Sequence, residues 1–429
     1  MSIVGWSNPQ GAEIELKLEF APAISASAGA IWESAIWDTD KYGAGETWVD
    51  ITEDARSIRT FRGRQRESQR FEAGRATIVL DNRDGNYSPE NLAGPYADGL
   101  NTGIRPWRPI RLRAYLPDTF TWYSIWYGYA ISFAEEYDLS STDCTTTIEC
   151  VDELGRIAGF DVPEIDPPLP GDSAPWARIQ LLLEEAGITA ARDFSFDTSI
   201  TVQETAGNVN CLEEVQSVCE STGGAFYADG AGTLVHESIY HRLTDYWSTT
   251  ATVTIDDLFQ PCYDAITLSY DGDLVVNGAV YTCAGGTPQT FSDAESQVLY
   301  GRRQVTASGL QCNDDAQAAA LAAWTVLKGR NAELRFESMR LNLRASSGGG
   351  IWYGQWLGVA LDISRRVELI RRAPGGYTIS RQVFIEGIEH DIAQDAWTTT
   401  FALGSATAYD ELADPRWDSG EWDGAKWLY

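Results

Sequence analysis

The chain has 429 residues, 44% of them apolar and 22% charged, which is enough for two to four domains with sizeable cores and too apolar for long disorder. Its 62 acidic and 32 basic residues leave a formal net charge of −30, a field that repels phosphate backbones and excludes nucleic acid as a tightly bound partner. The seven cysteines, Cys144, Cys150, Cys211, Cys219, Cys262, Cys283 and Cys312, form no CxxC pair and read as reduced, buried thiols.

The first twenty residues lack a basic stretch followed by an apolar one, and no run approaches about 18 apolar residues, so synthesis in the cytoplasm without a membrane span is expected. Apolar residues alternate over 12–20 (Ile14, Leu16, Leu18, Phe20), 76–80 and 110–114, which predicts strands. Between them lie turn clusters such as Asp81-Asn82-Arg83-Asp84-Gly85-Asn86. Residues 1–150 therefore read as a β domain with a tryptophan-rich insert near 30–48.

A short helical turn over 151–160 and a proline-rich joint over 163–170, a linker or an extended crossing, follow. Residues 174–186 place Ile179, Leu182, Leu183 and Ala186 at helical spacing, with Gly187 as a stop. Leu212, Val215 and Val218 repeat that pattern before Gly223-Gly224, and a hairpin turns around Asp229-Gly230. Residues 151–245 thus form a small α+β domain. Strands resume over 246–405, with Asp271-Gly272 and Asn277-Gly278 as tight-turn signals. One long helix near 314–328 opens with acids and ends at Lys328-Gly329. A tryptophan-rich tail occupies 406–429.

Internal echoes tie the two β regions together. Trp107–Ala114 and Trp356–Ile363 place Trp and three apolar residues at the same offsets; Trp126–Ile131 is echoed by Ile385–His390, and each is followed by a threonine-rich strand, at 145–148 and 398–401. A shorter echo pairs Trp32, Trp37 and Tyr42 with Trp417, Trp422 and Trp427, aromatics five residues apart. That period suits neither a helix face nor a strand face and points to loops that dock on a neighbouring surface, with a sugar-stacking platform as the alternative.

Reactive chemistry finds little support. His236, His241 and His390 lack metal-ligand spacing; Glu135-Glu136 and Glu184-Glu185 read as solvent-facing acids; GxSxG, Walker A and dinucleotide-binding glycine patterns do not occur. No catalytic, cofactor-binding or metal residue is expected, and no enzyme. An arginine island over 56–75, with Arg62, Arg64 and Arg66 at its centre and Glu67 and Glu72 interleaved, predicts salt-bridged contact with an acidic partner surface.

That island and its continuation carry a family resemblance. Arg62-Gly63-Arg64, Phe71-Glu72-Ala73-Gly74, Leu80-Asp81-Asn82, Asp84-Gly85, Ser88-Pro89 and Arg105-Pro106 resemble the N-terminal domain of baseplate hub, or minor tail, proteins of long non-contractile-tailed phages (siphoviruses) of Actinobacteria. Asp152-Glu153-Leu154, Gly223-Gly224, Tyr300-Gly301-Arg302-Arg303, Glu386-Gly387-Ile388 and Trp397-Thr398 extend it over nearly the whole chain, failing at the tryptophan-rich segments. The resemblance implies a mainly β fold in which two tube-like β-barrel domains flank the small α+β domain. It further implies a homotrimer at the tail tip of the virion, assembled in the host cytoplasm. The expected neighbours are a distal tail protein, a tape measure protein and other minor tail or fibre proteins. DNA would pass through an acidic lumen during ejection into the host without specific binding. Unlike longer hub proteins the chain ends at Tyr429 soon after the second β region, so lytic activity is expected elsewhere in the tail. The competing readings are a distal tail protein ring, a receptor- or carbohydrate-binding tail-tip protein and a peptidoglycan hydrolase.

Overall fold

A computed structural model of the protein describes residues 14–22, 47–139, 142–258, 263–344 and 351–413. Period-two alternation sets its strands. In Glu72–Asp81 the even positions Gly74, Ala76, Ile78 and Leu80 are buried, and in Cys144–Val151 so are Cys144, Thr146, Ile148 and Cys150. These belong to a run of five antiparallel strands in the order Ala55–Gly63, Glu72–Asp81, Cys144–Val151, Thr121–Tyr137, Arg108–Leu116. Glu15–Phe20 extends the run beyond Arg108–Leu116, with Leu18 opposite Leu112.

The second half repeats this order. Tyr263–Tyr270, Leu334–Asn342, Ala396–Ser405, Thr378–Ala393 and Arg366–Arg372 are again neighbours in that sequence and again antiparallel. The correspondence extends to single residues. Each long strand shifts register beside its threonine-rich neighbour, between Ala130 and Ser132 in one unit and between Ile385 and Gly387 in the other. Ahead of each stands a non-glycine residue with left-handed backbone, Trp107 at φ 65° and Ser364 at φ 67°. Their N–H groups donate to Ala130 O at 2.6 Å and to Ile385 O at 2.8 Å. Fully buried Thr146 and Thr399 hold matching places.

This equivalence differs from the sequence echo by several residues. Trp107 corresponds to Ser364, whereas Trp356–Ala360 lies in the helix Ile351–Ala360. That apolar run has no polar alternation to hold one face to water, and as a helix it buries Leu357 and Val359 against strands of both units. The two β units are also continuous with each other. Ser57–Gly63 pairs antiparallel with Gly387–Ala393, giving one mainly β, curled sheet over a single core that runs from Phe20, Ile78, Trp126 and Ile148 to Phe336, Ile388, Trp397 and Phe401.

Between the units, helix Pro175–Glu185 starts with proline at its first turn, and helix Cys211–Thr222 runs from an Asn210 cap to Gly223 at φ 71°. Ile179, Leu182 and Leu183 pack there with Val215 and Val218 under a sheet of Arg192–Phe194, Ala225–Ala228 and Leu234–Glu237. Of the two forms expected at 163–170, linker or extended crossing, the extended one is found, as strand Asp161–Leu169 paired on one side with Thr205–Asn210; prolines fit because, among the described residues, its other edge carries no ladder.

A further small unit interrupts the second β run. Gly278–Cys283, Gln289–Ser292 and Gln304–Leu310 form a sheet covered by helix Asp315–Gly329, whose Asp314 cap accepts from Gln317 N–H at 2.8 Å. Asn277-Gly278 makes no hairpin turn: Asn277 is buried, its side chain donating to Gly301 O and accepting from Arg303 N–H, both at 2.7 Å. Cys283 and Cys312 form a disulfide, against the reading of every cysteine as a free thiol; Cys144, Cys150, Cys211 and Cys219 are free and buried. The strand pairing brings Cys283 and Cys312 together across 29 residues of sequence, which no local spacing signals.

Candidate functional site

The place where the two β units meet concentrates the buried charge. Gly63, at φ 98°, and Gly387 let the backbones approach so closely that a Cβ on Gly63 would lie 2.4 Å from Glu386 O. Arg64 N–H donates to that same oxygen at 2.9 Å. The register shift at Glu386 turns its fully buried side chain into the seam. There it accepts from Arg242 at 2.6 and 3.1 Å and from Arg64 Nε at 2.8 Å. Burial alone would raise the pKa of Glu386, but the two guanidinium groups outweigh it and hold the carboxyl down to about 2.

Arg242 also donates to Ser364 Oγ at 3.1 Å and stacks over Phe384, 4.5 Å from the ring centre. Ser364 Oγ and the Tyr227 hydroxyl in turn donate to Glu237, at 2.7 and 2.8 Å. The left-handed residue of the second unit therefore takes part in a network closed by the middle domain. Burial, with Arg62 nearby, pushes the imidazole of His390 down to about 3, and Thr399 Oγ1 lies 2.9 Å from its Nδ1.

Of the arginines singled out in the sequence, two are turned inward. Arg62 is buried, paired with Asp362 and donating to Ile125 O at 3.3 Å; Arg64 is bound to Glu386 and lies over Phe71. Arg59 pairs with Glu389 at 2.8 Å and Arg70 with Glu220 at 2.6 Å. The acidic groups that these residues meet are the chain's own: the pairing of 57–63 with 387–393 sets Glu389 and the adjoining Glu386 beside Arg59 and Arg64, Asp362 reaches Arg62, and helix Cys211–Thr222 supplies Glu220 to Arg70. Arg66 alone of Arg62, Arg64 and Arg66 is exposed, on the wall of an open groove with Phe61, Glu67 and Arg335. Glu67 in that wall is tied to Lys328 at 2.8 Å and Arg335 at 3.2 Å. Trp32, Trp37, Tyr42, Trp417, Trp422 and Trp427 lie outside the described residues.

The network residues Glu237, Arg242 and Asp362 gave no signal in the sequence; Glu386 stood in a motif but without a partner. Chemically the arrangement is a joint: its carboxylates are saturated by guanidinium and hydroxyl donors inside the core. His236, buried beside it, is pushed down to about 4 by burial. Among the described residues no three His, Cys, Asp or Glu side chains gather as a metal site, and no helix is long and apolar enough to cross a membrane.

No protein-family model matches the sequence, and no curated protein matches it. The fold, in contrast, is that of phage tail proteins. A 43 kDa tail protein of prophage MuSo2 from Shewanella oneidensis superposes with a TM-score of 0.59 at 11% identity, over 92% of this chain and 98% of that one. A tail protein from Neisseria meningitidis MC58 superposes with a TM-score of 0.56 at 11% identity, over 93% and 98%.

Proposed function

We propose that the chain is a non-catalytic structural protein of a phage virion, the trimeric baseplate hub of a siphovirus tail tip that joins a sixfold tail tube to a threefold end and lines the DNA channel. The observation that carries this reading is the duplicated five-strand unit, matched in order, register shift and left-handed residue. Three chains with two such units present six quasi-equivalent positions. A sixfold distal tail ring needs only one unit per chain. The fold likeness to two tail proteins over more than nine-tenths of this chain supports the setting.

In this reading the net charge of −30 serves the lumen, where Asp and Glu keep passing DNA from adhering. Exposed Arg66 and the aromatic segments around Trp32, Trp37, Tyr42, Trp417, Trp422 and Trp427 are the surfaces for the distal tail, tape measure and fibre proteins. The test is the mass of the purified protein by light scattering, with particle symmetry in isolated tail tips. A threefold assembly around a channel is expected. A sixfold ring would reassign the chain to the distal tail protein, and a peripheral monomer would make it a receptor-binding component.

A further inference from the structure

We infer that Cys283 and Cys312 are a redox latch: as thiols they let the contact between the middle domain and the small unit that interrupts the second β run open, and as a disulfide they hold it shut. The inference goes beyond the hub reading and takes from it only that the chain is made in a host cytoplasm and leaves it in a virion.

The bond stands where these two parts touch. Strand Gln304–Leu310 ends at that boundary, and Gln311, Cys312 and Asn313 run along the middle domain before the Asp314 cap starts helix Asp315–Gly329. Gln311 N–H donates to Ser221 Oγ at 2.8 Å, its Nε2 donates to Ser217 Oγ at 3.1 Å, and its carbonyl accepts from Gln203 N–H at 2.8 Å. Cys312 bridges Val202, which also bridges Ser173. Gln203 Nε2 donates to Ala284 O at 3.0 Å, Gln317 Nε2 donates to Thr201 Oγ1 at 3.3 Å, and Asn313 donates to Asp172.

Polar bonds of this kind exchange with bonds to water and each holds little. The apolar contact lies further along the helix, where Ile239 and Leu243 of the middle domain join the cluster of Leu321 and Trp324. A cavity of about 40 Å3, lined by Ser199, Ser221, Gln317 and Leu321, adjoins both the strip and that cluster, so close packing does not seal the strip. The crosslink does. Leu310 is the last residue paired with the strand Gly278–Cys283, opposite Cys283 itself, and the disulfide anchors position 312 to that same strand end. Gln311 and Asn313 then move only with the sheet.

Closing the latch takes an oxidant, and a small disulfide such as oxidised glutathione is sufficient. One protein thiolate attacks it, forming a mixed disulfide and releasing one glutathione thiolate. The other protein thiolate displaces the second. Two protein thiols thus become one disulfide while two glutathione thiols leave with the protons. With the strip closed, Cys283 and Cys312 are 3% and 0% exposed, so the exchange runs through the open strip and the finished bond is shielded from reductants. A reducing cytoplasm keeps the strip able to open during assembly, and an oxidising medium outside the cell shuts it.

The full-length protein, purified under reducing conditions, is compared before and after treatment with oxidised glutathione. Amides at 201–203 and 311–313 are expected to exchange deuterium about 100-fold faster in the thiol form, while Glu72–Asp81 and Cys144–Val151 stay protected over the same hours in both. In the thiol form Cys283 and Cys312 are expected to react with iodoacetamide ahead of Cys150 and Cys211, which are 2% and 0% exposed. Cys283→Ala/Cys312→Ala should exchange like the thiol form in either medium. Equal exchange of the strip in both forms, or alkylation in no such order, would overturn the latch. Strip and core strands losing protection together would also overturn it, leaving a general crosslink. In cells quenched with acid before lysis both cysteines are expected as thiols, and in released particles as the disulfide; a disulfide already present in the cells would overturn closure on release. Absence of the chain from the particles would overturn the virion reading, and the exchange of the purified protein would still decide the latch.

Discussion

Replacing Glu386 by glutamine keeps the shape of the side chain and removes the charge that two buried arginines share. The carboxyl is held at about 2 against an ordinary 4.5, a difference equivalent to about 3–4 kcal/mol at about 1.4 kcal/mol per pH unit. Breaking a buried ion pair from one side costs about 3–5 kcal/mol, because the partner charge stays behind. Here Arg64 and Arg242 stay behind, their side chains 14% and 7% exposed. Both routes are met by a loss of about 3–4 kcal/mol. In urea, at about 3 kcal/mol per molar, the midpoint should fall by about 1 M, followed by fluorescence of the buried Trp126 and Trp397. Arg242→Met alone should cost a similar amount. The double variant should cost less than the sum of the two by about 1–3 kcal/mol, since the second change removes a charge that the first has stranded. A midpoint for Glu386→Gln within about 0.3 M of the parent, or strict additivity in the double variant, would refute the view that this network holds the two units together.

Gly63→Ala should destabilise by about 3 kcal/mol or more, adding a Cβ 2.4 Å from Glu386 O to a left-handed backbone; Gly99→Ala, also left-handed but facing open space, should cost about 1 kcal/mol in the same urea titration. Acid should weaken the fold. His390 and His236, held neutral to about 3 and about 4 against an ordinary 6.5, let the unfolded chain bind two protons that the folded chain does not, so their contribution is complete above 6.5 and falls as pH drops towards 4. Asp152 works in the opposite sense, because burial pushes it up to about 7, and the net slope is about one proton, or about 1.4 kcal/mol per pH unit. Asp152→Asn keeps the helix cap and should steepen the slope to about two protons; urea midpoints at pH 7.5, 6 and 5 that stay level in both proteins would contradict this. Reduction of Cys283–Cys312, a crosslink spanning 29 residues, should lower stability by about 3–4 kcal/mol, and thiol titration of the unfolded, unreduced protein should find no more than five of the seven cysteines.

What the sequence made legible were features written in neighbouring residues. Alternation marked Glu72–Asp81 and Arg108–Leu116, apolar spacing and the stop at Gly223 marked helix Cys211–Thr222, and opening acids with a closing Lys328-Gly329 marked helix Asp315–Gly329. The duplication was legible as order and threonine-rich closing strands but not as alignment. A continuous apolar run such as Trp356–Ala360 has no period that separates helix from strand, and the true match at Trp107 and Ser364 shares a backbone angle, not a side chain. The prolines of Asp161–Leu169 left linker and extended crossing equally open, because proline fits both a linker and an edge strand. The arginine island was visible, but its partners Asp362, Glu386 and Glu389 stand about 300 residues away along the chain, and only the seam brings them to Arg62, Arg64 and Arg59.

The middle domain explains how two nearly equal units come to have unequal edges. Tyr227 and Glu237 belong to its hairpin and Arg242 follows it, and all three close over the junction inside the chain, where Phe71 stacks on Tyr227 at 5.0 Å. The ends of that junction are tethered, so it forms at any protein concentration, and its buried ions fix its register. Among the described residues the corresponding positions of the other two strands, Tyr270 and Glu135, stand in place of Arg62 and His390 without such cover. The unfolding of Glu386→Gln therefore measures the junction inside the chain on its own.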